Sequence, residues 1–392
     1  MKYDFDRVYD RRNTNSLKWD FAAERHHSED ELPLWVADMD FRSPEPVISA
    51  VKKTAEGGFF GYTKEKYGDQ KTVSDWLFRR HGYAYDPEHI IFAPGVVFAL
   101  TQAVIALTEP GDAVMISEPV YYPFSSLVRD TGRTLVRNVL IHDDRGHYSI
   151  DFEEFERQIR ENNVKVYILC SPHNPVGRVW KREELVKAGD ICLANGVLVF
   201  SDEIHADFVY EDNKHIPFAS ISKEYDEGSL TFTSPSKTFN IAGLQIAEII
   251  VRDEKLRNAV RRAVNITGYA EVGITGLAAM KAAYTECDDW VDAVVEYIHG
   301  NMSFMEDFLS AELPMLRMTH PEGTYLPWID CTALRLDRKG LEDLVRNKAK
   351  LWLDAGYIFG ESGTGFQRFN AACPRKTLEE AMERLKRAFY RP

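Results

Sequence analysis

Short apolar runs that alternate with amphipathic helical stretches are the feature that most constrains the fold of this chain. Residues 165–170 (KVYILC), 197–201 (VLVFS) and 230–233 (LTFT) are each typical of a buried strand, because nearly all their positions are apolar or small. An amphipathic stretch at 181–195 separates the first two. Strands separated by helices favour a parallel sheet that is covered on both faces, so the sequence predicts an α/β fold.

The same patterns predict further elements and a division into domains. Helices are expected at 96–107, directly after a glycine, and at 273–286, 290–309 and 377–390, and short strands at 113–117, 316–318 and 325–330. A chain of 392 residues is long enough for two or three domains at roughly 150 residues each. We expect an N-terminal arm (1–45) packed with a small α+β domain (286–392), and a large domain between them (46–285).

Charge and cysteine usage exclude several classes of function. The chain has 48 Lys and Arg against 61 Asp and Glu, a net charge of −13, which disfavours binding to a phosphate backbone. No apolar run approaches the roughly 18 residues of a membrane helix, and no secretory signal is visible. The five cysteines are dispersed and never form a Cys-x-x-Cys pair, and the His26–His27 pair lacks a third ligand. We therefore expect a cytoplasmic protein that binds no metal, nucleic acid or membrane.

Side chains capable of chemistry follow each of the three buried runs. Taken singly, each has an ordinary interpretation: Asn-Pro near a glycine marks a turn, an aspartate at a strand end often caps a helix, and a lysine is usually solvated. In an open parallel sheet, however, ligands bind beyond the carboxyl ends of the strands, so these side chains are expected to meet. They are Asn174 after the first run, Asp202 and His205 after the second, and Ser234, Ser236 and Lys237 after the third.

Together these residues match the needs of one cofactor, pyridoxal 5'-phosphate (PLP). A lysine that forms a Schiff base must lose its proton near neutral pH, and an acidic partner on the ring nitrogen lets the ring draw electrons from the substrate. The phenolate oxygen needs a donor and the phosphate needs an anion pocket. The Schiff base would form on Lys237, the acidic partner would be Asp202 and the donor to the phenolate oxygen would be Asn174. The hydroxyls of Ser234 and Ser236, beside a helix N-terminus, would provide the anion pocket.

The order and spacing of these motifs resemble the fold-type I PLP enzymes of the aspartate aminotransferase superfamily, over nearly the whole chain. Asp202 follows Asn174 by 28 positions and Lys237 follows Asp202 by 35. The resemblance implies that Lys237 carries the cofactor, Asp202 pairs with the ring nitrogen and Asn174 contacts the phenolate oxygen. It also implies a large domain with a mostly parallel mixed sheet flanked by helices, and a smaller α+β domain.

Further cofactor contacts follow from the same resemblance. Tyr121 matches the aromatic residue that stacks on the cofactor ring, with a core aromatic as the alternative interpretation. The amides of Val96 and Val97, together with the two serines, match the phosphate-binding cup. Tyr62 matches a tyrosine that reaches the phosphate of the partner subunit in these dimers, which implies a homodimer. Arg368 matches the arginine that binds the substrate α-carboxylate, a role that a planar guanidinium suits.

Departures from the superfamily pattern narrow the resemblance. Gln245 stands eight positions after the lysine, where many aminotransferases have a phosphate-binding arginine, and His205 replaces a tyrosine three positions after the aspartate. His205 is either a cofactor contact or an ordinary buried histidine. With the segment 34–41 (LWVADMDF), these features look like the MalY/PatB branch of cysteine-S-conjugate β-lyases. The residues implied on the substrate side are Trp35, Ala37, Asp38 and Tyr122, with packing of the arm as the alternative for Trp35.

That branch implies a particular reaction. Lys237, freed as an amine, would remove the Cα proton of L-cystathionine or a related S-substituted cysteine, and a thiolate would leave from Cβ. The products of this α,β-elimination are a thiol, pyruvate and ammonia. Two other functions stay open at this point: an aminotransferase that exchanges amino groups with an α-keto acid, and a catalytically idle binding or regulatory protein on the same fold.

Overall fold

The computed structural model describes residues 3–143 and 146–390, and strands and helices alternate over most of this length. The strands are β1 (Leu32–Pro33), β2 (Ile90–Ala93), β3 (Ala113–Glu118), β4 (Thr134–Val139), β5 (Ile141–His142), β6 (Tyr148–Ser149), β7 (Val164–Cys170), β8 (Leu198–Asp202), β9 (Ser229–Thr233), β10 (Ala247–Ile250), β11 (Arg317–Met318), β12 (Trp328–Asp330), β13 (Leu351–Trp352), β14 (Asp354–Ala355) and β15 (Phe366–Arg368). The helices are α1 (Glu45–Glu56), α2 (Tyr67–His81), α3 (Val96–Leu107), α4 (Pro123–Asp130), α5 (Phe152–Asn162), α6 (Arg182–Ala194), α7 (Lys223–Glu227), α8 (Pro235–Thr238), α9 (Glu254–Ile266), α10 (Ile274–Glu286), α11 (Asp288–Glu312), α12 (Arg338–Glu342) and α13 (Arg375–Tyr390).

A seven-stranded sheet in the order β2-β10-β9-β8-β7-β3-β4 forms the centre of the fold. The strands from β9 to β4 run parallel to their neighbours, whereas β10 is antiparallel to both β9 and β2. Strands β3, β7, β8 and β9 are buried along almost their whole length, as expected for a sheet that helices cover on both faces. The predicted fold class is therefore confirmed.

A second, four-stranded sheet has the order β11-β12-β15-β14 and is antiparallel throughout. The N-terminal arm joins this part of the chain because β1 pairs in parallel with β13, with Leu32 opposite Leu351. The large sheet uses strands between residues 90 and 250, and the small sheet uses strands between residues 317 and 368. The boundaries expected near residues 45 and 285 stay predictions.

A continuous apolar core crosses these regions. It joins Phe41 of the arm, Phe239 after α8, Trp290 of α11 and Leu378 of α13, all of which are buried. Most predicted elements agree with the structure within a few residues. The strand expected at 325–330 begins only at Trp328, because Pro327 has no N–H to donate to a neighbouring strand. Among the helices of the described residues, none combines the length and apolar character needed to cross a bilayer.

Candidate active site

The carboxyl ends of β7, β8 and β9 lie side by side at one edge of the large sheet. Cys170 is opposite Asp202, and Asp202 is opposite Phe232. Backbone pairing continues past the strand ends. The amide of Ser171, after β7, donates to Asp202 O at 2.9 Å, and the amide of Glu203, after β8, donates to Phe232 O at 2.8 Å. The loops after the three strands therefore converge, as the order of the strands predicts.

A cavity of about 230 Å³ lies where these loops meet the arm and the small sheet. The predicted site residues that line it are Val96, Val97, Tyr121, Asn174, Asp202, His205, Lys237, Arg368, Trp35, Ala37 and Tyr122. The residues that line it and were not among the predicted site residues are Val36, Gly95, Phe98, Cys170, Ile204 and Asp354. The predicted residues that do not line it are Ser234, Ser236, Asp38 and Tyr62.

Lys237 lies in the short helix α8, directly after β9. Ser234 caps this helix, since its hydroxyl oxygen accepts from the amide of Ser236 at 3.0 Å. The Lys237 Nζ donates to the backbone oxygen of Ala37 in the arm at 2.7 Å. Burial lowers the pKa of Lys237 to about 8, against the nearby charge of Asp38, which acts to raise it. The amine is therefore much closer to its neutral form at physiological pH than a solvated lysine.

Asp202 ends β8 and is buried at the floor of the cavity. Its Oδ1 accepts from the amide of Ile204 at 3.1 Å, and within the described chain Oδ2 has no recorded hydrogen-bond partner. The pKa of Asp202 is raised to about 7, and burial is the main cause. A cation bonded to the free oxygen would favour the ionised form again. The neighbouring thiol of Cys170 is also buried, which raises its pKa and keeps it protonated.

Arg368 lies on β15 and reaches the cavity from the small sheet. Its Nη1 donates to Asn174 Oδ1 at 2.9 Å and its Nη2 donates to Trp35 O at 3.0 Å. Nη2 also forms a close ion pair with Asp354 on the neighbouring strand β14, directly opposite in the sheet. The guanidinium carbon lies 4.6 Å from the centre of the Phe359 ring. Among the described residues the buried Nε has no partner, so Arg368 retains unused N–H donors.

Asp354 is a residue of the cavity that the sequence reasoning missed. Burial raises its pKa, and the charge of Arg368 and its hydrogen bond act in the opposite direction. A usable signal was present: Asp354 directly follows the apolar run 351–353 (LWL), just as Asp202 follows its strand. The run is short, and only the antiparallel pairing of β14 with β15 places Asp354 beside Arg368.

The N-terminus of α3 forms a second end of the cavity. Gly95 precedes the helix, and within the described part of the chain no side chain caps its first amides, which belong to Val96 and Val97. A Cβ on Gly95 would meet no atom within 4 Å, so the backbone there borders open space. Uncapped amides at the start of a helix of this length suit an anion such as a phosphate.

The two serines near α8 lie outside the lining of the cavity. The Ser234 hydroxyl donates to the backbone oxygen of Ile246 at 2.7 Å, so its hydrogen is already engaged. Ser236 is half-buried at the first turn of α8. Their expected part in a phosphate cup stays a prediction.

His205 is buried among the groups of the cavity. Burial lowers its pKa to about 3, and the charges of Lys237 and Arg368 lower it further. The imidazole is therefore neutral at physiological pH. Its ring centre lies 5.7 Å from that of Tyr325, and within the described residues Nδ1 has no hydrogen-bond partner.

The arm closes the cavity over Lys237. Ala37 O accepts from Lys237 and also from the hydroxyl of Tyr325 at 3.2 Å. Asp38 turns away to Arg11, which donates to its two carboxylate oxygens at 2.9 Å each. The arm is thus held by an ion pair on one side and contacts the amine on the other. Tyr62, in contrast, lies on the surface and is fully exposed in this single chain.

A mostly parallel sheet with an uncapped helix start, a half-buried lysine and a buried aspartate at its carboxyl edge is typical of the class of fold-type I PLP-dependent enzymes. Residues 29–385 match the model of the family described as aminotransferase class I and II, and the chain belongs to this family. It is 43% identical to the cystathionine beta-lyase PatB of Bacillus subtilis (strain 168), over 98% of this chain and 99% of that protein.

Solved structures agree with this assignment. The crystal structure of cystalysin from Treponema denticola, which contains a pyridoxal 5'-phosphate cofactor, superposes with a TM-score of 0.96 at 38% identity and covers 100% of this chain and 99% of its own. The PLP-bound C-S lyase from Staphylococcus hominis gives a TM-score of 0.92 at 31% identity, with 98% of each chain covered.

Proposed function

We propose that this chain is a PLP-dependent carbon–sulfur β-lyase that cleaves L-cystathionine or a related S-substituted cysteine to a thiol, pyruvate and ammonia. One observation carries the proposal: a half-buried lysine shares a single cavity with an arginine whose Nε has no partner among the described residues. The amine is suited to take a proton and the arginine to hold a carboxylate. The similarity to proteins named cystathionine beta-lyase and C-S lyase supports the same reaction.

The residues of the cavity fit the cofactor. Lys237 would carry it, Asp202 has a free carboxylate oxygen for its ring nitrogen, and the amides of Val96 and Val97 suit its phosphate. Tyr121 lines the cavity and is available to stack on its ring. When bound, the cofactor supplies an electron-accepting ring that stabilises negative charge at the substrate Cα.

Lys237 is proposed as the general base that takes the Cα proton. A base works best when its pKa lies near the operating pH, and burial brings the pKa of Lys237 to about 8. The bond to Ala37 O fixes the position of Nζ in the cavity. A proton at Cα can then be taken with little movement of the backbone.

Arg368 is proposed to hold the substrate α-carboxylate. Its contacts with Asn174 and with the backbone oxygen of Trp35 fix the plane of the guanidinium, while Nε is unused. The Asp354 carboxylate already forms an ion pair with Nη2 of Arg368, so a substrate carboxylate must bind to the remaining donors of the guanidinium. We propose that Asp354 sets the orientation of Arg368 and limits its excess positive charge.

The remaining walls of the cavity are aromatic, and the leaving group needs little help from an acid. Trp35, Tyr121 and Tyr122 are aromatic, and the first two are largely buried. Thiols have pKa values near 8.5, so a thiolate leaves with less help from an acid than an alkoxide would. The cavity therefore needs no dedicated acid at the leaving sulfur.

We also propose a homodimer, a three-part division of the chain and a cytoplasmic location. Phe59, Phe60 and Tyr62 are adjacent along the chain and are 86%, 66% and 100% exposed, which is unusual for aromatic side chains. Burial against a second copy would cover them and would let Tyr62 reach the phosphate end of the neighbouring cavity. The arm (1–45), the large domain (46–285) and the small domain (286–392) are retained as proposed units.

An aminotransferase is the second candidate, because the matching family model describes aminotransferases. Both reactions begin with loss of the same Cα proton, so the geometry of Lys237 serves either. They differ in the product. Transamination exchanges the amino group and keeps the carbon–sulfur bond, whereas elimination breaks that bond and releases a thiol.

The test is a panel of S-substituted cysteines incubated with the purified holoenzyme, with an α-keto acid as a parallel substrate. We expect pyruvate from L-cystathionine and at most slow amino-group exchange. Amino-group exchange without pyruvate would favour the aminotransferase. Protein that shows no cofactor absorbance after PLP is added would favour the idle binding protein instead.

A further inference from the structure

A second arginine lies beside the cavity, on the arm. Arg25 ends a short 3-10 turn, Ala23–Arg25, and its side chain is exposed. Its guanidinium carbon is 4.8 Å from the centre of the Trp35 ring. Trp35 is itself buried and lines the cavity, so the contact places a solvent-accessible cation against one of the cavity's own walls.

Trp35 connects the two arginines. Its backbone oxygen accepts from Arg368 at 3.0 Å, while its ring carries the Arg25 guanidinium. The ring is held in place from elsewhere by a parallel stack with Trp352, whose ring centre lies 4.9 Å away. One residue thus contacts a buried cation through its backbone oxygen and an exposed cation through its ring.

The charge of Arg25 acts on groups inside the cavity. Burial raises the pKa of Asp354, and the charges of Arg368 and then Arg25 oppose this effect. Burial likewise raises the pKa of Tyr122, and the charges of the same two arginines act to lower it. Asp354 and Tyr122 both line the cavity, and Tyr122 is 38% exposed at its opening.

Arg25 is not engaged by an acid. Among the residues that the structure describes, no carboxylate lies within 4.0 Å of its guanidinium and no hydrogen bond from it is recorded. Two other arginines of the arm differ in this respect: Arg11 is paired with Asp38 at 2.9 Å, and Arg12 with Asp10 at 3.6 Å. The donors of Arg25 are therefore available to an anion that enters the cavity.

We propose that Arg25 is a specificity-determining residue that binds the distal carboxylate of a substrate with two carboxylates, such as L-cystathionine. This inference rests on the proposed lyase function. The α-carboxylate occupies Arg368, the thioether crosses the aromatic wall of Trp35, and the second carboxylate meets Arg25 near the opening. A guanidinium suits this task because it offers planar, paired donors to a carboxylate while it stacks on an aromatic ring.

The expected effect is selective and moderate, because an exposed ion pair contributes little free energy. In the variant Arg25→Gln, we expect the KM of the holoenzyme for L-cystathionine to rise about fivefold with kcat unchanged. The KM for S-methyl-L-cysteine, which lacks the distal carboxylate, should change by less than about twofold. Arg25→Lys should recover part of the loss, since it keeps the charge but not the paired donors.

Arg12→Gln is the matched control. Arg12 is also on the arm and also lies over an indole, that of Trp19, at 5.3 Å. It differs from Arg25 because it is paired with Asp10 and because Trp19, unlike Trp35, does not line the cavity. Both KM values should stay unchanged in this variant. Added salt should raise the KM of the unmodified protein for L-cystathionine and leave the KM for S-methyl-L-cysteine constant.

Two results would overturn the proposal. An equal rise of both KM values in Arg25→Gln would mean that the guanidinium only supports the Trp35 ring, and no change in either would mean that it has no role. If the unmodified protein released no pyruvate from any thioether, the lyase function would be wrong. The affinity of the holoenzyme for L-cystathionine and S-methyl-L-cysteine, measured by calorimetry in the same variants, would then decide the role of Arg25 separately.

Discussion

Two walls of one cavity differ in how the chain builds them. The sheet wall consists of Asn174, Asp202 and Lys237, and the arm wall consists of Trp35, Ala37, Asp354 and Arg368. Residues of the sheet wall lie at or just after the carboxyl ends of neighbouring parallel strands, so their positions depend on backbone pairing such as Cys170 opposite Asp202. The arm wall joins segments more than three hundred residues apart, as in the bond from Arg368 to Trp35 O.

The difference separates two tasks. The sheet wall holds groups with shifted pKa values in fixed places, which suits proton transfer and cofactor binding. The arm wall holds the Arg368 guanidinium, which is paired with Asp354, beside the Trp35 ring, and this arrangement suits recognition of a substrate carboxylate. We therefore expect changes in the sheet wall to act on the chemical step and changes in the arm wall to act on KM or on stability.

The largest effect is expected at Lys237 in the sheet wall. Lys237→Ala should reduce pyruvate release from L-cystathionine at least about 10³-fold, because the general base is lost. The far-ultraviolet circular dichroism should be unchanged. Lys223→Ala is the control, since Lys223 is exposed and pairs with Glu227 on the surface. Activity within tenfold of the unmodified protein would remove Lys237 from the mechanism.

The next effect is expected in the arm wall. Arg368→Lys should lower kcat/KM for L-cystathionine about 10²-fold, mainly through KM, because an ammonium cannot make the same set of contacts. Arg137→Lys, a change at the ion pair with Glu118 outside the cavity, serves as the control. A fall in kcat at constant KM would contradict the division of tasks between the walls.

A pH-dependent effect is expected for Asp202 in the cofactor-free protein. Burial raises its pKa to about 7 in the folded chain, above the 3.8 of an ordinary aspartate. Its contribution to stability is therefore complete below about pH 4 and is lost as the pH rises through about 7. The free energy of unfolding should thus fall by about 4 kcal/mol relative to Asp202→Asn across this window, since each pKa unit corresponds to about 1.4 kcal/mol.

Thermal unfolding of both proteins from pH 4 to 8, followed by circular dichroism, measures this difference. Bound cofactor should reduce it, because a cation beside the carboxylate favours the ionised form. Parallel pH profiles of the two cofactor-free proteins would show that the carboxyl is not perturbed by its surroundings.

The smallest effect is expected where the arm is held to the body. Arg11→Gln removes the paired bonds to Asp38 and the bond to Met39 O, and Arg11 is partly exposed. We expect the free energy of unfolding to fall by about 1 kcal/mol, measured from the urea midpoint. Arg12→Gln should leave the midpoint unchanged, because Arg12 is largely solvated. Equal losses in the two variants would indicate a general effect of charge in the arm.

The sheet wall could be predicted from the sequence because its signals are local. Asn174, Asp202 and Lys237 each follow a run of buried residues, and the chain order of parallel strands indicates which runs are neighbours. Tyr121 and Arg368 needed the resemblance to a family, since neither stands at a strand end that its own pattern makes evident. All of them line the cavity.

The arm wall was harder to predict because it depends on contacts between distant segments. Asp354 meets Arg368 only through the pairing of two very short antiparallel strands, and Tyr325 reaches Ala37 O across 288 positions. Short strands carry little periodicity, so pairing of this kind leaves a weak signal. The Ser234 hydroxyl likewise donates to Ile246 O, a bond that no local pattern indicates, and its expected part in a phosphate cup stays a prediction.

The most direct test of the account measures three products at once. The holoenzyme is incubated with L-cystathionine and α-ketoglutarate, and the thiol, pyruvate and glutamate formed are measured over the same interval. The account predicts equal amounts of thiol and pyruvate and no more than a trace of glutamate. Glutamate formed without thiol or pyruvate would show that the cavity performs amino-group transfer and would contradict the assignment of a carbon–sulfur lyase.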